Sequence, residues 1–268
     1  MLRLIGAVIA ASLAAALPTV ACGPDTDCVI DGGRTYRIAV PDGPGPYGAI
    51  LFMHGYKGSA AGEMANGAMR DMARRLGVAL IAPKSGGDDW LIRNAPHRGL
   101  TDDDLELRYF DALLADVTTR FAVDPQRILA AGFSAGGMMT WTLACDRADR
   151  FAAFVAISGT FWGPIPASCP SPAVDLVHIH GTADVVVPMT GRPVGDTRQG
   201  DVHAALAMFA AGRGYERTVT DAGAPTDLAC TGAATAAGKE LLLCLHGGGH
   251  EVDPAWLAWA YRRYVAGE

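Results

Sequence analysis

Ser134 stands between two glycines in Gly132-Phe133-Ser134-Ala135-Gly136, and it is where chemistry in this chain can begin. A serine hydroxyl is a poor nucleophile at its own pKa and needs a base within hydrogen-bond reach. The pattern G-x-S-x-G marks a nucleophile turn when a strand runs into it and a helix leaves it. Both flanks are present. An apolar run over residues 128–131 leads in, and Met138, Trp141, Thr142 and Cys145 follow at helical spacing. At the tip Ser134 takes strained backbone angles, and Gly132 and Gly136 remove side chains that would collide there. The helix starting at Ala135 points its N–H groups, and its positive dipole end, at the place where an oxyanion would form.

The partners of such a serine are a base and an acid that orients it. Asp184, in His180-Gly181-Thr182-Ala183-Asp184, and His250, after Gly247-Gly248-Gly249, each follow an apolar run. Serine, aspartate and histidine then occur in the chain order used when the nucleophile sits on a strand-to-helix turn. Asp175 precedes its strand, and Asp196 and Asp201 lie deep in the following loop, so Asp184 is the preferred acid. His246 shares a strand end with His250, but only His250 lies beyond the three glycines, on a loop able to fold back. His178 and His180 form an H-x-H pair on one strand face. With no clear third ligand they read as packing and not as a metal site.

Two backbone donors must face the oxyanion. Ala135 N–H is one, and Tyr56 N–H, in the loop after residue 53, is the other. Tyr56 and Trp162 are also candidate aromatic walls beside the nucleophile, with ordinary core aromatics as the alternative.

The elements that must hold these groups are legible as alternating patterns. Buried strands are expected over residues 49–53, 78–82, 128–131, 154–157, 176–179 and 240–245, and a half-exposed strand over 34–40. Helices are expected over residues 64–76, from a Thr101 cap with Asp104 three residues on, from Ala135, over 202–211 and after Asp253-Pro254. Strands alternating with helices give an α/β fold with a mostly parallel central sheet and helices on both faces. Functional groups then collect at the carboxyl ends of the strands.

Of 268 residues, 50% are hydrophobic and 19% charged, enough apolar surface for one large domain. The net charge of -6, without a basic cluster, argues against nucleic acid and anionic membrane surfaces as partners. Residues 1–21 read as a signal peptide: Arg3, an apolar run over 4–17, and a small-residue cleavage site before Cys22. The apolar run is too short to span a membrane. The mature domain is then residues 22–268, secreted or periplasmic. A lipoprotein anchor at Cys22 is disfavoured because Thr19 stands where an aliphatic residue is usual. Six cysteines in an exported chain suggest disulfides, with buried free thiols as the alternative. Of the 15 connectivities that six allow, neighbour pairing, 22–28, 145–169 and 230–244, is the working hypothesis.

Four stretches, HGYKGSA, VDPQRILAAGFSAGGMM, HIHGTADVVVP and GGGH, carry a family resemblance. On them the chain resembles the polyhydroxybutyrate depolymerase / feruloyl esterase family of secreted α/β-hydrolases. The resemblance implies the α/β-hydrolase fold and a triad at Ser134, Asp184 and His250, the residues already chosen. Departures are Tyr56, where many members have cysteine, and Glu251-Val252, where Thr-Trp is frequent. Both bear on substrate preference. The residues between Trp162 and Leu176 leave room for a short loop but no large lid, which suits esters within a polymer. A Tyr after the oxyanion-loop glycine and a Trp after the next strand also occur in cutinase-like polyesterases. The expectation is a monomeric serine ester hydrolase needing no metal or cofactor, acting on small-molecule or polymeric esters. A serine peptidase on the same fold and a non-catalytic binding protein are the competing classes.

Overall fold

The computed structural model of the protein describes residues 22–96, 104–220 and 222–268. The proposed signal peptide and the Thr101 cap lie outside them. Thirteen strands occur among the described residues: β1 (Cys28–Val29), β2 (Thr35–Ala39), β3 (Tyr47–Met53), β4 (Ala79–Pro83), β5 (Val123–Phe133), β6 (Ala153–Ile157), β7 (Trp162–Gly163), β8 (Leu176–Gly181), β9 (Pro193–Val194), β10 (Thr197–Gln199), β11 (Arg217–Val219), β12 (Ala229–Ala234) and β13 (Glu240–His246). The α-helices are α1 (Ala60–Ala65), α2 (Gly67–Leu76), α3 (Leu105–Arg120), α4 (Ala135–Asp146), α5 (Val202–Ala210) and α6 (Pro254–Tyr261).

Ten strands form one sheet in the order β1-β2-β4-β3-β5-β6-β8-β13-β12-β11. The six from β4 to β13 in that order are mutually parallel, and the four outer strands are antiparallel. The parallel strands are apolar on both faces because helices cover both. Along β3, Ala49, Leu51 and Met53 join one core with α3, α4 and α5, while Ile50 and Phe52 join another with α1, α2 and α6. The same alternation runs through β4, β5 and β6, as a side-chain period of two requires.

The expected helix over residues 64–76 is two helices. Asn66 ends α1 and caps α2, its Oδ1 accepting from Ala68 and Met69 N–H. A polar cap in the middle of an apolar period breaks a helix that spacing alone would run straight through. α3 begins at Leu105 with Asp104 as its N-cap, and the Thr101 end of the expected capping box lies outside the described residues. The stretch before β13, which shows no pattern in sequence, contributes β11 and β12. Short strands with exposed residues lack a readable period. β7, β9 and β10 form a small separate sheet. Residues 164–175 carry no helix, in line with the short loop expected after Trp162.

All three disulfides pair neighbours as expected: Cys22–Cys28, Cys145–Cys169 and Cys230–Cys244. Cys230 and Cys244 face each other across β12 and β13. Among the described residues no helix is long and apolar enough to cross a membrane.

Candidate active site

The carboxyl ends of β3, β5, β8 and β13 deliver Tyr56, Ser134, Asp184 and His250 respectively. Ser134 has φ 58° and ψ −119°, angles L-residues rarely adopt. The surrounding glycines make this turn possible by close approach of backbones. A Cβ on Gly136 would lie 1.9 Å from the Met53 carbonyl oxygen, and one on Gly132 would lie 2.2 Å from that of Gly136. A Cβ on Gly159 would reach the Ser134 carbonyl oxygen at 2.1 Å. The end of β3 and the segment after β6 are thus pressed against the serine turn from both sides. Ser134 N–H donates to Ile157 O at 2.8 Å and Met138 N–H to Ser134 O at 3.0 Å, which locks the turn between β6 and α4.

Asp184 and His250 meet as expected. His250 Nδ1 donates to Asp184 Oδ2 at 2.7 Å. Asp184 Oδ1 accepts from Val186 and Val187 N–H, both at 2.9 Å. Burial would push the Asp184 carboxyl up, but the hydrogen bonds from His250 and the two amides hold it below the ordinary carboxylate range. With its Nδ1 engaged, His250 has Nε2 left for a substrate or nucleophile proton. Its ring packs on Phe133, the neighbour of Ser134, at 4.6 Å between centroids. Among the described hydrogen bonds none joins Ser134 Oγ to His250. Such contacts are often long without substrate and tighten when it binds.

Two of the competing carboxylates are occupied elsewhere. Asp175 pairs with Lys239 at 2.8 Å and accepts from Glu240 N–H, and Asp201 caps α5 through Ala204 N–H. His246 packs on Trp256 with tilted rings 4.7 Å apart, and its Nδ1 accepts from Gly248 N–H at 3.2 Å.

Gly55 brings the loop after β3 to the serine: a Cβ on it would stand 3.4 Å from Ser134 Cβ. Tyr56 N–H has no backbone acceptor among the described loop and turn bonds, and Ala135, first in α4, has no intrahelical acceptor. Both proposed donors are therefore unspent. Tyr56 is 53% exposed. Trp162 is placed differently from the expected wall. It is 6% exposed and lines a cavity of about 20 Å³ with Thr142, Cys145 and Asp146. Those residues lie two to three turns along α4 from Ser134, about 12–18 Å at the helical rise. The β7–β10 pairing turns Trp162 inward.

A clamp on the oxyanion loop was missed by sequence reasoning. His54 is fully buried, its Nδ1 donating to Gly55 O at 2.8 Å and its Nε2 accepting from Ser85 N–H at 3.2 Å. Trp90 Nε1 donates to His54 O at 2.8 Å, and Lys57 N–H to Asp88 O at 2.7 Å. Burial, with Lys84 nearby, pushes the His54 imidazole down to about 4, although the Gly55 carbonyl opposes this. Glu106, fully buried on α3, holds the clamping loop by accepting from Leu91 N–H at 3.3 Å and pairing with Arg34 at 2.7 Å. The one sequence signal was His-Gly at a strand end. Glu106 looks like any surface acid of an amphipathic helix. Among the described residues no group of three or more metal-ligating side chains occurs.

The prolyl oligopeptidase family profile matches residues 107–162, the stretch spanning the serine turn. Across 91% of this chain and 98% of its own, an acetyl xylan esterase from Aspergillus awamori superimposes with a TM-score of 0.61 at 14% identity. The chain has the α/β-hydrolase fold. Several of its sequence relatives are named feruloyl esterase C. Feruloyl esterase C of Emericella nidulans is 29% identical over 168 residues, 59% of this chain and 58% of the relative. NocK of Nocardia uniformis subsp. tsuyamanensis, itself named as a candidate esterase, is 31% identical over 169 residues, 61% of this chain and 49% of the relative. The chain thus spans about half to three-fifths of the length of these two relatives.

Proposed function

We propose that the protein is an exported serine carboxylester hydrolase working through an acyl-enzyme. The observation that carries this is the 2.7 Å Asp184–His250 bond presented beside a serine at φ 58°. His250 takes the Ser134 proton as Oγ attacks the ester carbonyl, and the oxyanion is held by Tyr56 and Ala135 N–H. His250 then protonates the leaving alcohol, and water, deprotonated by the same imidazole, releases the acid. Asp184 fixes the imidazole tautomer and stabilises its cation.

Feruloyl or other aryl esters are the favoured substrates, supported by the relatives above and by the exposed Tyr56. Polyesters, aliphatic polyhydroxyalkanoates or aromatic ones, are the alternative, supported by the short loop after Trp162. The protein is read as an exported monomer cleaved before Cys22, and its export is supported by three disulfides, which form in oxidising compartments. The match to the prolyl oligopeptidase family favours a second reading, a serine peptidase.

Hydrolysis of feruloyl esters, short p-nitrophenyl esters, polyhydroxybutyrate and a matched anilide separates these. Ester turnover should far exceed amide turnover. Ser134→Ala should lower kcat by about 10⁶ and Asp184→Ala by about 10⁴. Persistent ester hydrolysis in folded Ser134→Ala, or no labelling of Ser134 by a fluorophosphonate, would refute the assignment.

A further inference from the structure

The H-x-H pair of β8 is a hydrogen-bonded chain whose direction is fixed from end to end. Trp141 Nε1, which can only donate, bonds His178 Nδ1 at 3.1 Å. His178 therefore carries its proton on Nε2, which bonds His180 Nδ1 at 2.9 Å. His180 in turn carries its proton on Nε2, which donates to Val187 O at 2.7 Å. Trp141, His178 and His180 are all 0% exposed. Each imidazole nitrogen is used once, as donor or acceptor, and neither ring has an acceptor for a second proton.

This chain ends at the acid of the triad. Val187 supplies its carbonyl to His180 and its N–H to Asp184 Oδ1. His180 Nε2 also lies 3.6 Å from Asp184 Oδ2, the oxygen that accepts from His250. The chain begins on α4, the helix that starts directly after Ser134. A continuous path thus ties the serine's helix to the acid's turn.

We infer that His178 and His180 are positioning residues of the catalytic triad, a neutral relay that sets the Asp184 turn against α4 and leaves the Asp184 charge to His250 alone. This rests on the proposed hydrolase reading for its catalytic meaning, but the tautomers follow from geometry. A charged His180 would compete with His250 for Oδ2. The surroundings oppose that charge. His178 is held well below the ordinary imidazole range by burial, then by His180 and by His203 of α5. His180 is held down by burial, with His250 and His246 adding to this and the Val187 carbonyl and Asp184 opposing it.

Two measurements test the relay. Long-range ¹H–¹⁵N spectra of the wild-type protein should show both rings neutral and protonated at Nε2 from pH 5 to 8. An Nδ1–H tautomer, or titration of either ring in that range, overturns the inference. This needs no turnover, so its failure is distinct from failure of the hydrolase reading. In kinetics, His180→Leu should lower kcat about tenfold, within the roughly 10²-fold that a small misplacement can cost. KM should stay within about twofold, and the acid limb of the rate profile should move to lower pH as Asp184 couples less well to His250. His180→Gln offers one acceptor and one donor as the neutral ring does, and should restore most of kcat. A folded His180→Leu with wild-type kcat and acid limb overturns the relay. If that variant does not fold, the wild-type spectra decide.

Discussion

At the scale of single residues, the serine turn owes its shape to absent side chains more than to the serine. Three backbone segments meet within contact distance at Gly132, Gly136 and Gly159, and a methyl group at any of them would overlap a carbonyl oxygen. Gly136→Ala should therefore cost about 3 kcal/mol or more of stability, the upper end of overpacking effects, with activity lost in parallel. Gly67, first in α2, has nothing within 4 Å of a built Cβ and no positive φ. Gly67→Ala should raise stability by about 0.5 kcal/mol and leave ester hydrolysis unchanged. Urea unfolding of both variants beside the wild type is the check. Equal effects would show that backbone proximity does not set the turn. The same residue-scale logic explains what was readable in advance. Ser134, Asp184 and His250 announce themselves because glycine, apolar run and polar side chain recur together at strand ends. Trp162 misleads because its sequence neighbourhood says nothing about the inward turn imposed by β10.

At the scale of elements, the parallel strands were legible because burial on both faces leaves an unbroken apolar run. The split between α1 and α2, and the strands β11 and β12, were not. One depends on a single cap, Asn66, and the others on pairing partners far along the chain. The His54 and Glu106 clamp was equally hidden, since a buried histidine and a buried glutamate look like surface residues until the loop that covers them is placed. Neighbour pairing of the cysteines was one of 15 connectivities open to the sequence, and the observed pairing has a mechanical consequence. Cys145 ends α4 and Cys169 lies in the loop after β7, so their bridge fastens that loop to the helix bearing Ser134. The bridge closes a separation of 24 residues. Chain-entropy reasoning assigns a closure of that size about 3 kcal/mol. The double variant Cys145→Ser/Cys169→Ser should melt about 6–12 °C lower than the wild type, given the usual scaling for a chain of this length. Scanning calorimetry reads this directly. An unchanged Tm would mean that packing around Phe161 and Pro166 already holds the loop.

At the scale of the whole molecule, the buried titrating groups make stability depend on pH in opposite senses. His54, His178 and His180 all have imidazoles held below the ordinary value by burial. Unfolding returns each to about 6.5, so between that value and the folded one the unfolded chain binds more protons. Their stabilising effect is complete above pH 6.5 and is lost as pH falls. For His54, which drops to about 4, the loss is about 3 kcal/mol. Glu63 on α1, half-buried just after the oxyanion loop, works the other way. Burial pushes its carboxyl up to about 7. The folded chain then binds more protons between the usual glutamate range and pH 7, and stability falls as pH rises through that window. Its partial exposure reduces the effect to about 1 kcal/mol. Unfolding free energies from urea titration should therefore fall by at least about 3 kcal/mol from pH 7 to pH 4 in the wild type. Glu63→Gln should gain about 1 kcal/mol at pH 8 and nothing at pH 4, because only the ionised carboxylate is disfavoured. A gain of equal size at both pH values would assign the effect to packing of α1 and remove the titration account of Glu63. A flat wild-type profile between pH 7 and 4 would do the same for the three histidines.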